Sequence, residues 1–328
     1  MVIIRLTCLP AADSRQRCRA PTSSQGITPT IRHPVAVEQC SEPLAVVDLF
    51  CGVGGFSEGA RRAGCRIVLA VDSDATFLET HRRNHPRCTH LLRTLPADVP
   101  LPNGGEWHVH ASPPCQPVSQ ANRGACPVER AGAVELAEWY FDLVEATRPT
   151  SWSFEQVVTI EIVVALEARR ARRPDLFAFA VINFGDHGVP QDRRRLVAGS
   201  PGVIARLLRR RGPELCIFDV FPRPPTRHVM NHSTNTPDRV NGGFRPLLAH
   251  EHMRHASRRA YTVMASAAMR WVRPSGEVLR SLTPREAARL QTFPPRYHLG
   301  EVARRGGVGN AVPVEVARRW MAPEEDAE

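Results

Sequence analysis

Leu44-Ala45-Val46-Val47-Asp48-Leu49-Phe50 runs into Cys51-Gly52-Val53-Gly54-Gly55-Phe56-Ser57 and then into Glu58-Gly59-Ala60-Arg61-Arg62-Ala63-Gly64. The first segment is a short, nearly unbroken apolar run of the kind that fills a buried strand. The third reads as a short helix stopped at Gly64. Between them the glycines let a ligand lie against bare backbone at a helix N-terminus, so the three together open a nucleotide-binding α/β unit. A second strand, Arg66-Ile67-Val68-Leu69-Ala70-Val71, ends at Asp72. An acid at that tip, about 20 residues after the glycines, is where such folds bind ribose hydroxyls. The alternative left open is a plain tight turn with a surface Asp72.

Downstream, helices and strands keep alternating, as in open α/β sheets. A helix over Ala75–Asn84 and a proline-rich loop precede a third strand, Glu106–Ala111. That strand feeds Ser112-Pro113-Pro114-Cys115-Gln116, where a proline-stiffened loop gives one thiol a fixed direction, as a nucleophile requires. A small buried hydrophobe is the other reading of a single cysteine. A helix over 131–147 leads to the strand Ser151–Phe154, with Glu155 at its end. Glu155 thus sits at the carboxyl edge of the sheet, from which Cys115 also emerges and where ligands of open α/β sheets bind. A helix over about 158–172 and a strand over Ala178–Asn183 precede Gln191-Asp192-Arg193-Arg194-Arg195-Leu196. Arg193 and Arg195 enter an apolar strand two apart, so both guanidinium groups project from one face. Forked donors there suit a carbonyl oxygen, carboxylate or phosphate.

From about 201 to 262 the pattern weakens into proline clusters, Arg206–Arg211, and His228, His232, His250, His252 and His255. These histidines lack the cysteine or carboxylate spacing that completes a zinc site, and read instead as loop residues of a nucleic-acid-facing segment. Regularity returns at Thr283-Pro284-Arg285-Glu286, a capping box opening a helix to Gln291. Gly306-Gly307-Val308-Gly309-Asn310-Ala311-Val312-Pro313 is the closing element, a small-residue turn followed by a C-terminal helix starting near Pro313.

The bulk properties narrow the class. The 328 residues carry a formal charge of +10 with a pI near 9.8, and arginine supplies every cationic side chain, because there is no lysine. This balance favours a polyanionic partner, nucleic acid first. No apolar run reaches the length of a membrane span, and Met1–Thr7 turns polar too soon for a secretory signal. Nine widely spaced cysteines without C-x-x-C fit free thiols in a reducing compartment rather than disulfides or zinc. Residues 1–43, rich in Pro, Ser, Thr and Arg, read as a flexible arm.

The motifs in this order resemble the C5-cytosine DNA methyltransferases. D-L-F-C-G-V-G-G-F-S at 48–57 is similar to the motif that holds S-adenosylmethionine (SAM), and P-P-C-Q at 113–116 to the nucleophile motif. F-E-Q-V at 154–157 falls where the family has E-N-V, and Q-D-R-R-R at 191–195 fits Q-x-R-x-R. R-S-L-T-P-R-E-A-A-R-L-Q-T-F-P at 280–294 and G-N-A-V-P at 309–313 fit the last two motifs. The resemblance spans about 44–320. It implies a Rossmann-like SAM-dependent methyltransferase sheet with helices on both faces, in a catalytic domain over 44–200. A short, irregular target-recognition region over 201–278 follows, and 279–328 returns to the catalytic domain.

The resemblance also implies roles. Cys115 adds to carbon 6 of a flipped cytosine, making carbon 5 nucleophilic toward the sulfonium methyl. Glu155 serves the ring's N3, while Arg195 and Arg193 hold O2 and the thiol loop. Phe50, Cys51, Gly52, Gly54 and Gly55 line the SAM site, Asp72 binds the ribose, and Asn310, Ala311 and Val312 close the pocket. Cys51, inside the glycine turn, is a pocket wall. The expected partner is double-stranded DNA, met by a monomeric, intracellular enzyme with no membrane attachment and no metal. Two departures stand out: Gln156 replaces the family's Asn, and Leu92, Arg93, Thr94 and Leu95 occupy the place of its acid near the adenine. A tRNA-methylating relative, which carries a C-F-T tripeptide absent here, and a non-catalytic DNA- or partner-binding relative remain the alternatives.

Overall fold

The computed structural model describes residues 42–114, 127–230, 235–237, 244–246, 253–265, 269–300 and 307–323, with side chains excluded for 127–130, 235–237 and 244–246. The expected arm up to residue 41, Cys115, and His232, His250 and His252 lie outside the described residues.

Seven strands form the main sheet: β1 (Ala45–Leu49), β2 (Arg66–Asp72), β3 (Thr89–Leu92), β4 (Trp107–Ala111), β5 (Ser151–Gln156), β6 (Ala178–Asn183) and β7 (Arg194–Gly199). Their spatial order is β3-β2-β1-β4-β5-β7-β6. β7 alone runs antiparallel to its neighbours, inserted between β5 and β6. The chain reverses direction of growth between β1 and β4, which opens a crevice at their carboxyl ends.

Strand alternation sorts the core into two layers. Val47, Leu49, Val109, Ala111, Trp152, Phe154, Leu196 and Ala198 face one side. There they meet Tyr140 and Phe141 of α3 (Pro127–Thr147) and Ile162 and Leu166 of α4 (Ile160–Arg172). Val46, Ala70 and Val197 face the other side, against Phe56 and Ala60 of α1 (Gly55–Arg62), Leu78 of α2 (Ala75–Asn84), and α5 (Pro201–Arg209). Val316, Ala317 and Trp320 of α9 (Val314–Met321) complete that layer. The helix Pro201–Arg209, grouped by pattern with the irregular region, therefore lies on the main sheet through Val203, Ile204 and Leu207. The expected plain turn before Pro313 contains a helical turn, α8 (Gly307–Asn310).

Beyond α6 (Ile217–Val220), a second sheet of four short strands has the order β11-β8-β12-β13. They are β8 (His228–Met230), β11 (Met253–His255), β12 (Arg270–Val272) and β13 (Val278–Ser281). A separate two-strand ladder joins β9 (Asn235–Pro237) and β10 (Phe244–Pro246). Trp271, Val229 and Phe221 pack with Leu290 of α7 (Pro284–Leu290), whose Thr283–Glu286 capping box forms as expected. No helix among the described residues is long and apolar enough to cross a membrane.

Candidate active site

One register line aligns the groups of interest. Leu49 pairs with Val71 and Ala111, and Ala111 pairs with Phe154. The residues one step further, Phe50, Asp72, Ser112 and Glu155, therefore share one edge of the sheet. They border a cleft of about 1050 Å³, part of it open to solvent. Its lining joins Phe50, Cys51, Gly52, Gly55 and Asp72 to Pro113, Pro114, Glu155, Arg193 and Arg195, and to Asn310, Ala311 and Val312. Every expected site residue is thus brought to one cleft except two. Gly54 sits behind the lining, and Cys115, which follows Pro114 directly, is outside the described residues. Val53, Phe56, Phe77, Ser112, Gln156 and Gly307 also line it.

The glycine turn owes its shape to two close approaches. Gly54 adopts φ 89°, a left-handed conformation open to glycine, and a Cβ there would stand 2.6 Å from the Tyr297 hydroxyl. A Cβ on Gly55 would stand 2.2 Å from the Val312 carbonyl oxygen. Only bare backbone lets the first turn of α1 meet the closing segment. Asp72 braces the same turn: its Oδ2 accepts from Gly52 N at 2.8 Å and its Oδ1 from Asp74 N at 2.8 Å. Burial raises the Asp72 carboxyl above the usual carboxylate range against those two bonds. Cys51 is buried, and desolvation pushes its thiol well above the ordinary range, which keeps it an inert wall.

On the opposite wall, Glu155 is 5% exposed, and Arg195 Nε lies 2.9 Å from its Oε1 in an ionic contact. Gln156, next along β5, donates from Nε2 to the Pro113 carbonyl at 3.0 Å and accepts from Val157 N at 2.7 Å. The amide in the family's Asn position thus ties the Pro-Pro loop to the strand carrying Glu155. Arg193 is buried, and its guanidinium donates to the carbonyls of Val263 (3.1 Å) and Ala311 (3.3 Å). It joins the second sheet's approach segment to the closing turn. Two buried amides reinforce that junction. Gln191 donates to Leu290 O and Gln291 Oε1 and accepts from Val263 N; Gln291 donates to Val308 O and Ala311 O. Both amides stood within motifs of the sequence, but nothing in the spacing says that they meet.

His228 and His255, read from the sequence as loop residues, stand instead on β8 and β11, where they pair with ring centroids 5.1 Å apart. Among the described residues Cys51, Cys65, Cys88 and Cys216 are free thiols.

Comparison with known proteins agrees with this geometry. The family model "C-5 cytosine-specific DNA methylase" matches residues 44–161 and 227–322, together more than half of the chain. The type II methyltransferase M1.HphI of Haemophilus parahaemolyticus is 28% identical over 329 residues, covering 84% of this chain and 85% of the relative. M.NgoPII of Neisseria gonorrhoeae is 23% identical, covering 84% and 93%. Among solved structures, a DNA modification methyltransferase encoded within an E. coli prophage superposes with a TM-score of 0.56 at 20% identity, covering 85% of this chain and 97% of that one. The S. pombe Dnmt2 methyltransferase gives a TM-score of 0.53 at 16% identity, covering 84% and 96%.

Proposed function

Because the chain belongs to the C-5 cytosine-specific DNA methylase family, we propose that its cleft receives one flipped cytosine of double-stranded DNA beside SAM, and that methylation of carbon 5 proceeds through a covalent Cys115 adduct. The observation that carries this reading is the shared cleft. The glycine turn with Asp72 forms one wall, and the Pro-Pro loop with Glu155 and Arg195 forms the other.

The residues present fit SAM. The bare backbone of Gly52, with nothing within 4 Å of where a Cβ would stand, leaves room beside the N-terminus of α1, whose first N–H groups favour an anionic end. The Asp72 carboxylate accepts from the backbone N–H groups of Gly52, Ser73 and Asp74, and its remaining lone pair is available to a ribose hydroxyl. Asn310, Ala311 and Val312 close the cleft from the C-terminal side. When bound, SAM supplies a methyl group made electrophilic by its sulfonium sulfur.

The chain's own residues do the rest. Cys115, as thiolate, forms a bond to C6 of the ring while Glu155 shares a proton with N3, so the ring electrons move toward C5. Arg195 orients Glu155 and holds the ring's O2. Gln156 fixes the carbonyl of Pro113, two residues before the nucleophile, and Arg193 holds the closing turn in register. After transfer, a base takes the C5 proton, the S–C6 bond breaks, and the thiolate and the aromatic ring are restored.

Incubation with tritiated SAM tests this reading. Label is expected in cytosine-containing duplex DNA and not in tRNA, and Cys115→Ser is expected to abolish labelling while DNA binding persists. Equal inertness of both proteins, with DNA binding intact, overturns it in favour of a non-catalytic binder.

A further inference from the structure

Behind the glycine turn lies a polar cluster that methyl transfer does not use. His81 of α2, Cys88 in the turn after it, and His90 of β3 bring one nitrogen or sulfur each to within 4.8 Å of one another. His81 and Cys88 are buried and His90 is partly exposed.

The hydrogen bonds leading to the cluster allow two directions for its lone pairs, and one of them favours an ion. Ser57 Oγ lies 2.6 Å from Asp48 Oδ2 and 3.0 Å from His81 Nε2. With the hydroxyl proton directed to the carboxylate, His81 Nε2 donates to Ser57, and the neutral ring's Nδ1 is bare. That Nδ1 lies 2.8 Å from His90 Nε2. His90 also hydrogen-bonds to the backbone of Cys88, which leaves Nε2 as its bare nitrogen when the ring is neutral. Two bare lone pairs so close repel each other, and a cation between them turns the repulsion into binding. The Asp48–Ser57–His81 chain is the outer-partner arrangement that orients metal-bound imidazoles. The competing arrangement places a proton on Asp48 and reverses each bond, so that His81 donates to His90 and no ion is needed.

We propose that His81, Cys88 and His90 form a transition-metal site, suited by its two nitrogens and one sulfur to Zn²⁺, in which the Cys88 thiol gives up to water the proton it donates to the Thr89 carbonyl and a fourth position is left for water. Two Zn–N bonds at a tetrahedral angle need the nitrogens about 3.3 Å apart. The partly exposed His90, on edge strand β3, accommodates that opening. The ion fixes the wall behind the cofactor turn, because a Cβ on Gly54 would stand only 2.9 Å from the His81 ring. Sequence spacing hides the site: His-x₆-Cys-x-His is no zinc-finger pattern, and it is the α2–β3 turn that closes it.

Titration of chelator-treated full-length protein with Co²⁺ tests the site through absorption, independently of methyl transfer. One saturable equivalent is expected, with a thiolate-to-metal charge-transfer band that Zn²⁺ displaces. Cys88→Ala removes the band, His90→Ala abolishes stoichiometric binding, and Ser57→Ala weakens binding about 10–100-fold. If Cys88→Ala fails to fold, His90→Ala, at a partly exposed position, carries the test. Absence of the band in wild type, or a band that survives both ligand substitutions, overturns the proposal.

Discussion

At the scale of single residues, the site depends on side chains that hold others. Gln156 is the clearest case, since its amide joins Pro113 to the strand of Glu155. Gln156→Leu leaves that buried carbonyl unpaired, at a cost of about 1–3 kcal/mol. Were that cost to fall on nucleophile positioning, methyl transfer in single-turnover assays would slow about 10–100-fold with SAM affinity unchanged, and Gln156→Asn would recover most of it. Equal loss of SAM binding would contradict the assignment. Glu155 was legible in the sequence because it ends an apolar strand at the sheet's carboxyl edge, and Arg195 because alternation sets it on the face it shares with Arg193. The bonds of Arg193 to Val263 and Ala311 were not, because both acceptors lie far along the chain and only packing brings them there.

At the scale of elements, the contact of α1 with the closing segment needs glycine at position 55. A Cβ there meets the Val312 backbone carbonyl, which cannot swing aside as a side chain does. Gly55→Ala is expected to cost about 1–3 kcal/mol in denaturant unfolding and to weaken SAM binding measured by calorimetry. β4 supplies a pH-dependent term. His108 is buried between the hydroxyls of Ser151 and Ser153, at 2.8 Å each, and burial lowers it to about 3. Between its unfolded value near 6.5 and that folded value, the unfolded chain binds the extra proton, so stability falls as pH falls through this window. His108→Gln should therefore flatten the stability–pH slope below pH 6.5 by up to about 1.4 kcal/mol per pH unit, read by denaturation at fixed pH values. An unchanged slope would refute it. Of the main sheet, the strands with apolar alternation and their helices were readable, but β3 was not. Thr89-His90-Leu91-Leu92 offers only a short edge segment, half of it polar, and Leu92 is 56% exposed.

At the scale of the whole molecule, arginine-rich charge and the ordered motifs pointed to a nucleic-acid methyltransferase, and the family match agrees. The junction of the two sheets was not legible, because Gln191, Gln291 and Arg193 connect segments about 70–120 positions apart through buried backbone acceptors. The loop after Pro114 is proposed to deliver a nucleophile to a cytosine in the cleft between Glu155 and the glycine turn. The most direct measurement uses duplex DNA with 5-fluorocytosine at the target position, since fluorine cannot leave as the C5 proton does. Incubated with SAM, wild-type protein is predicted to form a denaturation-resistant complex whose cross-linked peptide contains Cys115, and Cys115→Ser is predicted to form none. A complex that survives Cys115→Ser, or wild-type protein that methylates cytosine DNA yet never forms one, would contradict the account.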